Sequence, residues 1–390
     1  MKVRVLNVIF IIGLVGLGLP LLVVHCGPKP IMEQAEEKPA PSEVETHQLP
    51  AEAQLDPKQV ARSKLREGIG EVRRGNWVAA RSAFEDALRS DPTLGEAHLE
   101  LAKVLMRSGE FSLAADHFRS ATKLLPGQEE EIRPLLYESL RRSGRPADLL
   151  ALVNKELAAD PKNPYALYRK AVLLLDLGQV GEAKRIARDI IKSKNDFALA
   201  YAVLALCYWR EGNLNLAKIT METANKWDPK NSSVLSDLGS LSYLLGYTDE
   251  AKRLFTRAIN ADEKNAYAHN NLGVLLLNEG REKEAVVEFD KAVESDIALA
   301  EAYMNRAEAR RRLGDVEAAL QDVLAAQKLK PNIPEVYLLL GTLQEAKGLS
   351  ELAKANYKRY WSMAPSTERD ERVLRWIQAL EKTAGSKGGK

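Results

Sequence analysis

Side chains that carry out chemistry are scarce in this chain, and they do not stand at the spacings that catalytic or metal sites require. Its 390 residues include five histidines and two cysteines. Zinc proteases, phosphate-binding loops, nucleophile elbows and thiol redox centres depend on the patterns HExxH, GxxxxGK(S/T), GxSxG and CxxC. None of these patterns occurs in the sequence. We therefore predict no enzymatic activity, no cofactor and no metal site.

The individual histidines and cysteines favour structural roles or a modification. His98 and His269 stand at equivalent places of the repeated pattern described below, where a helix-packing residue is expected. Cys207 lies in an apolar stretch and is interpreted as a small buried hydrophobe. The short basic run Arg310–Arg312 is interpreted as a solvated helix face, with a grip on an acidic partner as the alternative.

The N-terminus carries an apolar run from Val5 to Val24, preceded by Lys2 and Arg4. About 20 apolar residues can cross a bilayer as a helix. Cytoplasmic flanks are enriched in positive charge, so the rest of the chain is expected on the other side of the membrane.

Cys26 directly follows this run, and the segment resembles a bacterial lipoprotein signal, in which such a cysteine becomes lipidated. His25 stands where that signal has a small residue. Residues 1–26 therefore have three open interpretations: a lipoprotein-type signal with Cys26 as the lipidation site, an uncleaved membrane anchor, or a cleaved signal. The first two predict a membrane-anchored domain on the extracytoplasmic, periplasmic side of the inner or outer membrane.

Composition gives further limits on partners. Residues 27–60 are rich in proline and glutamate with few large apolar groups, which predicts a disordered linker. The 56 basic and 54 acidic residues leave a net charge of +2. Nucleic-acid-binding domains carry a strongly basic patch or stripe, so we expect no nucleic-acid partner. No small-molecule substrate is expected either.

The elements that position all these residues repeat with a period of 34. Nine glycines follow this period with one step of 35: Gly75, Gly109, Gly144, Gly178, Gly212, Gly246, Gly280, Gly314 and Gly348. Such a period predicts a solenoid of helix–turn–helix units. Each periodic glycine is expected in the left-handed conformation that ends the first helix of a unit.

Other places of the 34-residue unit are also restricted. A small residue stands at the eighth place and at the twentieth place in eight of nine units. The third unit is the exception, with Tyr137 and Leu149. Aromatic residues recur at the twenty-fourth place, as Phe84, Phe118, Phe255, Phe289 and Tyr357, and proline often closes the unit at the thirty-second. Small residues are expected to let the two helices of a hairpin approach closely.

This pattern resembles that of the tetratricopeptide repeat family. The resemblance implies an all-α fold, a right-handed superhelical solenoid of nine helix–turn–helix units with a C-terminal capping helix. The units are assigned to 61–367, with a capping helix at 368–384 and a disordered tail at 385–390. Their bounds are 61–94, 95–128, 130–163, 164–197, 198–231, 232–265, 266–299, 300–333 and 334–367. The third unit is interpreted either as a bend in the array or as simple sequence drift.

The family resemblance also implies a binding surface, because the first helices of the units line a concave groove in this family. Eight residues stand at inward places, and two asparagines at the sixth place are added to them for their amides. The ten, here called the inner row, are Tyr165, Tyr168, Leu206, Trp209, Tyr243, Tyr267, Asn270, Asn271, Met304 and Asn305. Tyr, Trp and Met are common anchors of protein interfaces. The amides of Asn270, Asn271 and Asn305 are expected to hold the backbone of a bound peptide.

The function implied is that of a membrane-tethered, non-enzymatic scaffold that binds a protein or peptide in this groove. Assembly of a bacterial envelope machine, such as a pilus, gliding, secretion or outer-membrane assembly complex, fits the combination of anchor, linker and groove. A regulatory adaptor that recruits or restrains an envelope enzyme is the alternative.

Overall fold

The computed structural model of the protein describes residues 56–366 and 369–387, with side chains to residue 381. Residues 1–26, with Cys26 and the apolar run, lie outside the described residues. Within the described ranges the chain forms nineteen helices and no strand. The helices are α1 (Pro57–Arg74), α2 (Trp77–Ser90), α3 (Gly95–Arg107), α4 (Phe111–Leu124), α5 (Glu129–Arg142), α6 (Pro146–Ala159), α7 (Pro164–Asp176), α8 (Val180–Ser193), α9 (Ala198–Arg210), α10 (Leu214–Trp227), α11 (Ser232–Leu244), α12 (Thr248–Ala261), α13 (Ala266–Asn278), α14 (Glu282–Ser295), α15 (Ala300–Arg312), α16 (Val316–Leu329), α17 (Pro334–Ala346), α18 (Ser350–Met363) and α19 (Glu371–Lys387).

The helices pair as the period predicts. Consecutive helices pack together, as in α1 with α2, α9 with α10 and α13 with α14. Each pair coincides with one 34-residue unit, so the all-α arrangement of helix–turn–helix units is confirmed.

The chain divides into two compact parts. The N-terminal part holds residues 56–106 and 110–145, and the C-terminal part holds residues from 146 onward together with 107–109. The division at 145/146 falls between α5 and α6, which are the two helices of the third unit. A bend at this unit remains a prediction.

The turn inside each hairpin depends on its periodic glycine. At Gly75 the φ angle is +78°, which only glycine adopts without strain. The N–H of Gly75 donates to the carbonyl of Val72, and the N–H of Asn76 donates to the carbonyl of Glu71. These bonds satisfy carbonyl groups that the end of the helix leaves open. All nine periodic glycines have φ between +68° and +86°, which confirms the prediction.

The eighth and twenty-fourth places of a unit meet in the core of its hairpin. A Cβ atom on Gly273 would lie 2.6 Å from Cε1 of Phe289. Gly68 with Phe84, Gly239 with Phe255 and Gly341 with Tyr357 repeat this arrangement. The small residue therefore makes room for one particular aromatic ring, and each of these rings is buried.

Three predicted boundaries differ from the structure, one at the first helix and two at the last. Helix α1 begins at Pro57, so residues 57–60 belong to it and not to the linker. The Asp56 carboxylate accepts a hydrogen bond from the N–H of Lys58, and Pro57 fits the first helical position because no hydrogen bond is needed from it there. A proline that was read as part of a linker in fact opens the helix.

The last helix also starts later and extends further than predicted. It covers Glu371–Lys387 in place of 368–384, so residues 385–387 are helical and do not form part of a tail. Asp370 precedes the helix, and its carboxylate accepts a hydrogen bond from the N–H of Arg372. Val373 and Ile377 are buried in one apolar cluster with Tyr357 and Tyr360 of α18. The helix therefore covers the last repeat, as a capping helix should.

Candidate partner-binding surface

The inner row lies in the C-terminal part of the chain, on helices α7, α9, α11, α13 and α15. These are the first helices of units 4 to 8. Helix α7 packs against α9, and α13 packs against both α11 and α15. First helices of successive units therefore lie side by side, which is the arrangement that a shared binding surface requires.

The aromatic members of the inner row reach the surface. The side chain of Tyr165 is 53% exposed. Tyr168, Trp209, Tyr243 and Tyr267 are partly buried, with part of each side chain open to solvent. Aromatic side chains supply large contact areas at low entropic cost, so these five can contact a partner.

Tyr165 and Tyr168 are held by a ring that the sequence analysis missed. Phe197 is buried just before α9, and its ring centroid lies 5.1 Å from that of Tyr165 in an edge-to-face arrangement. The centroid of Tyr168 lies 6.4 Å from the same ring. Phe197 closes unit 4 and stands outside the inward places of the family pattern. Its apolar character directly before a helix was the available signal.

Arg210 is the second functional candidate that the sequence analysis missed. Its guanidinium carbon lies 5.4 Å from the centroid of the neighbouring Trp209 ring. Its Nε and Nη2 atoms are buried and make no hydrogen bond to any described residue. A buried N–H without an acceptor is costly, so an oxygen that reached Nε or Nη2 would stabilise this guanidinium. Both atoms are covered in this structure, so neighbouring side chains have to move before a partner can reach them. Arg210 occupies the thirteenth place of unit 5, one of the inward places.

Tyr243 is oriented by the next unit. The side-chain amide of Asn278 on α13 donates a hydrogen bond of 2.9 Å to the Tyr243 hydroxyl. The ring is thereby fixed across the boundary between α11 and α13 while part of it stays exposed.

The three asparagines of the inner row lie beneath this surface. Asn270, Asn271 and Asn305 are at most 1% exposed. Asn271 donates to the Ser240 hydroxyl at 3.0 Å, Asn270 to Asn271 at 3.1 Å, and Asn305 to Asn270 at 2.9 Å. We call this series the amide chain. It links units 6, 7 and 8 internally, and the predicted contact of these amides with a peptide remains a prediction.

Leu206 and Met304 are buried as well. Leu206 is 5% exposed and Met304 is 2% exposed. Leu206 packs in the cluster around α9, and Met304 packs in the cluster around α17. Both support the surface from below.

The run Arg310–Arg312 is engaged within the chain. The carboxylate of Glu308 pairs with Arg311 at 2.7 Å and with Arg312 at 2.8 Å. Arg310 pairs with Asp322 at 2.9 Å. The interpretation of the run as a merely solvated face is therefore replaced by one of internal ion pairs.

The two histidines at the fourth place of their units, His269 and His98, make equivalent contacts. Nε2 of His269 lies 3.1 Å from the carbonyl oxygen six residues earlier, that of Glu263, and Nδ1 lies 2.6 Å from a carboxylate oxygen of Glu288. Burial raises the pKa of the Glu288 carboxyl. Hydrogen bonds from His269 and Lys291 and their charges have the opposite effect and together outweigh burial, so the pKa of Glu288 lies below its ordinary value. His269 is therefore a buried residue that packs between helices, as its place in the repeat predicts.

His98 makes the equivalent contacts in unit 2, and one of them was not anticipated. Its Nε2 lies 3.1 Å from the carbonyl oxygen of Pro92, and its Nδ1 lies 2.8 Å from Nδ1 of His117. The spacing of the histidines in the sequence predicts no such pair, yet the residues at the fourth and twenty-third places of a unit meet. The pKa of His117 is lowered by burial and by the charge of His98.

Three further features of the described residues bear on function: the thiol of Cys207, candidate metal ligands and candidate membrane-spanning helices. Burial raises the pKa of the Cys207 thiol to about 12, so the reactive thiolate is disfavoured. No cluster of three or more His, Cys, Asp or Glu side chains among the described residues is arranged to hold a metal ion. Among the helices of the described ranges, none has the length and apolar character needed to span a bilayer.

Comparisons with known proteins agree with this geometry. The family models described as "Tetratricopeptide repeat" match residues 65–129, 164–189, 198–231, 238–300 and 300–333, more than half of the chain. The protein belongs to the tetratricopeptide repeat family. The matched ranges leave out two units, 130–163 and 334–367.

Among curated proteins, the chain is similar to human "DnaJ homolog subfamily C member 3", with 27% identity over 56% of this chain and 40% of that protein. It is also similar to the "DnaJ homolog subfamily C member 7 homolog" of Schizosaccharomyces pombe, with 24% identity over 83% of this chain and 74% of that protein. The chain thus spans about two-fifths of the length of the human relative.

Among solved structures, the chain is similar to one described as "Crystal structure of APC/C hetero-tetramer Cut9-Hcn1". The TM-score is 0.58 and the identity is 17%, over 84% of this chain and 68% of that chain. This likeness establishes the fold.

Proposed function

We propose that the protein is a non-enzymatic scaffold that binds a protein segment on the exposed aromatic part of the inner row. The observation that carries this proposal is Arg210. Its buried Nε and Nη2 atoms have no acceptor among the described residues, and Trp209 lies beside them, partly open to solvent. A carboxylate or carbonyl oxygen of a partner would complete the hydrogen bonding of Arg210, and an adjacent apolar side chain would pack on Trp209.

The N-terminal segment supports a tethered arrangement. The apolar run at residues 5–24 and Cys26 fit a membrane or lipid anchor on the extracytoplasmic side, with the acidic, proline-rich segment as a spacer. In this proposal the tether restricts the scaffold to partners of the cell envelope, such as the parts of an assembly machine. A reporter fused after Lys390 tests it, because a signal from the cytoplasmic side contradicts the arrangement.

The binding surface is tested by photo-cross-linking in the native cell. A cross-linking amino acid replaces Tyr243, and a matched control replaces Arg253, which is exposed on the second helix of the same unit. Capture of one discrete protein from Tyr243 and not from Arg253 supports the proposal. Equal capture from both positions, or none from Tyr243, contradicts it.

Arg210→Gln in the same cross-linking strain tests the observation that carries the proposal. We expect the yield from Tyr243 to fall by about tenfold or more, because hydrogen bonds to charged groups contribute about 1.5–3 kcal/mol. An unchanged yield shows that the partner does not bind Arg210. If the captured protein is an enzyme whose activity depends on the scaffold, the regulatory adaptor becomes the better description.

A further inference from the structure

Helix α1 carries a row of exposed cations along one side. Lys58, Arg62, Arg66 and Arg73 are all exposed, and we call them the basic row. Their spacings of four, four and seven residues place them within about 80° of one another at about 100° per residue. Ile69 lies within the same sector, between Arg66 and Arg73.

The basic row makes no ion pair with any described residue, although the other cations of α1 do. Lys64 pairs with Glu67 at 2.8 Å, and Arg74 pairs with Glu71. The nearby carboxylate of Asp91 forms no ion pair with the basic row. It accepts hydrogen bonds from the backbone N–H and the hydroxyl of Thr93, at 2.9 and 2.7 Å, and the charges of Lys58 and Arg62 contribute less than these bonds to the lowering of its pKa. Four like charges on one helix side repel one another, so an anionic partner would stabilise them.

The chain that enters α1 has the complementary charge. Residues 27–55 contain two lysines against six glutamates, which are Glu33, Glu36, Glu37, Glu43, Glu45 and Glu52. This acidic segment, residues 33–52, joins the basic row through Asp56 at the start of α1.

The lengths are compatible with direct contact. From Lys58 to Arg73 the basic row extends over 15 residue steps of helix, or about 22 Å at about 1.5 Å per step. An extended chain covers that distance in about seven residues. A reversal near the start of α1 therefore lets residues 43–52 run back along the whole basic row. Such a short connection gives an effective concentration in the millimolar range, so weak pairs suffice.

We propose that the acidic segment docks on the basic row of α1 and covers this side of the first unit. Arg62 and Arg73 stand at inward places of the family pattern, so the docked segment would compete with any acidic partner of the first unit. The occupant is this chain itself. The proposal is independent of the function proposed for the inner row, which lies on other helices.

The test uses the full chain in an uncharged detergent. A photo-cross-linking amino acid replaces Ile69, within the basic row, and a control replaces Glu67, about 160° away around the helix. We expect Ile69 to cross-link within the monomer to a peptide from residues 33–52, as identified by mass spectrometry, and Glu67 not to. Raising the ionic strength from about 0.01 M to about 1 M shortens the screening length from about 30 Å to about 3 Å and should abolish the product.

A charge-neutral variant gives the decisive comparison. The six glutamates are replaced by glutamine. All six precede the described helices in the chain, so the replacement leaves the packing of those helices intact. We expect the yield of the cross-link from Ile69 to fall about tenfold. Each exposed ion pair is weak on its own, but the variant removes all the pairs between the segment and the basic row at once. Equal yields from Ile69 and Glu67, an unchanged yield in the glutamine variant, or cross-links to a second copy or to another molecule in place of the segment would each overturn the proposal.

Discussion

The contact between Gly273 and Phe289 allows a quantitative test of how each hairpin closes. A Cβ atom on Gly273 would lie 2.6 and 2.8 Å from two ring carbons of Phe289. Gly273→Ala therefore overpacks the hairpin, which costs about 1–3 kcal/mol. The alanine also favours the helix by up to about 1 kcal/mol. The net effect of Gly273→Ala on the free energy of unfolding is a loss of about 0–3 kcal/mol.

Gly70→Ala is the matched control for the helix preference. Gly70 lies inside α1, and nothing stands within 4 Å of the position its Cβ would occupy. We expect this variant to gain up to about 1 kcal/mol. The difference between the two glycine variants measures the clash, and it should be about 1–3 kcal/mol.

A compensating change should restore the fit. The neighbouring unit 8 has Ala307 and Val323 at the two equivalent places, and both are buried. Phe289→Val alone leaves a cavity and should cost about 2–4 kcal/mol. Combined with Gly273→Ala it reproduces the unit 8 pair, so the double variant should be more stable than the sum of the single effects by about 1–2 kcal/mol.

The assay is hydrogen exchange in α13 and α14, because a repeat array need not unfold in one step. Protection should fall in these helices while α7 and α8 keep theirs. If Gly273→Ala stabilises as much as Gly70→Ala, or if the two changes in unit 7 are additive, the steric explanation is wrong.

Three further variants test the core and the buried charges. Leu149→Ala, in the unit that lacks a small residue there, should leave a cavity that costs about 2–4 kcal/mol, with the exchange increase confined to nearby helices. Asp322→Ala should cost about 3–5 kcal/mol in urea unfolding because it leaves the largely buried Arg306 guanidinium, now bonded to it at 2.6 and 3.0 Å, without that partner. Recovery in an Asp322→Leu, Arg306→Met double variant would support this reason, and no recovery would refute it. Because the pKa of His117 is lowered in the folded chain, the unfolded chain takes up the proton first, and stability should fall as the pH drops through about 6.5. His117→Leu should flatten that dependence, and an unaltered pH profile would exclude His117 as its source.

The repeat arrangement was predictable because backbone geometry restricts a few places strongly. A residue that needs φ near +75° has to be glycine, so Gly75 and its equivalents stand out by type alone. The pairing of Gly273 with Phe289 has a similar basis, since both places are restricted by one contact. Boundaries were less predictable, because Pro57 fits a linker and the first turn of a helix equally well.

The candidate surface was only partly predictable. Tyr168 is partly exposed and Asn270 is buried, although both stand at the fifth place of their units and the family pattern assigned both to one groove. A single helical place faces solvent or the next helix according to the neighbouring side chains, which the period does not specify. Arg210 was overlooked for the same reason, since its lack of an acceptor depends on what surrounds it and not on its own position.

The amide chain has a consequence for how such an array can be rearranged. The glycine–aromatic contacts lie inside single hairpins, so they would survive if a hairpin were moved to another position in the order. The bonds from Asn271 to Ser240 and from Asn305 to Asn270 form only when units 6, 7 and 8 are adjacent in that sequence. Duplication or deletion among these three units would remove these particular hydrogen bonds from buried amides, which is costly. The order of units 6, 7 and 8 is therefore fixed by their polar contacts as well as by apolar packing.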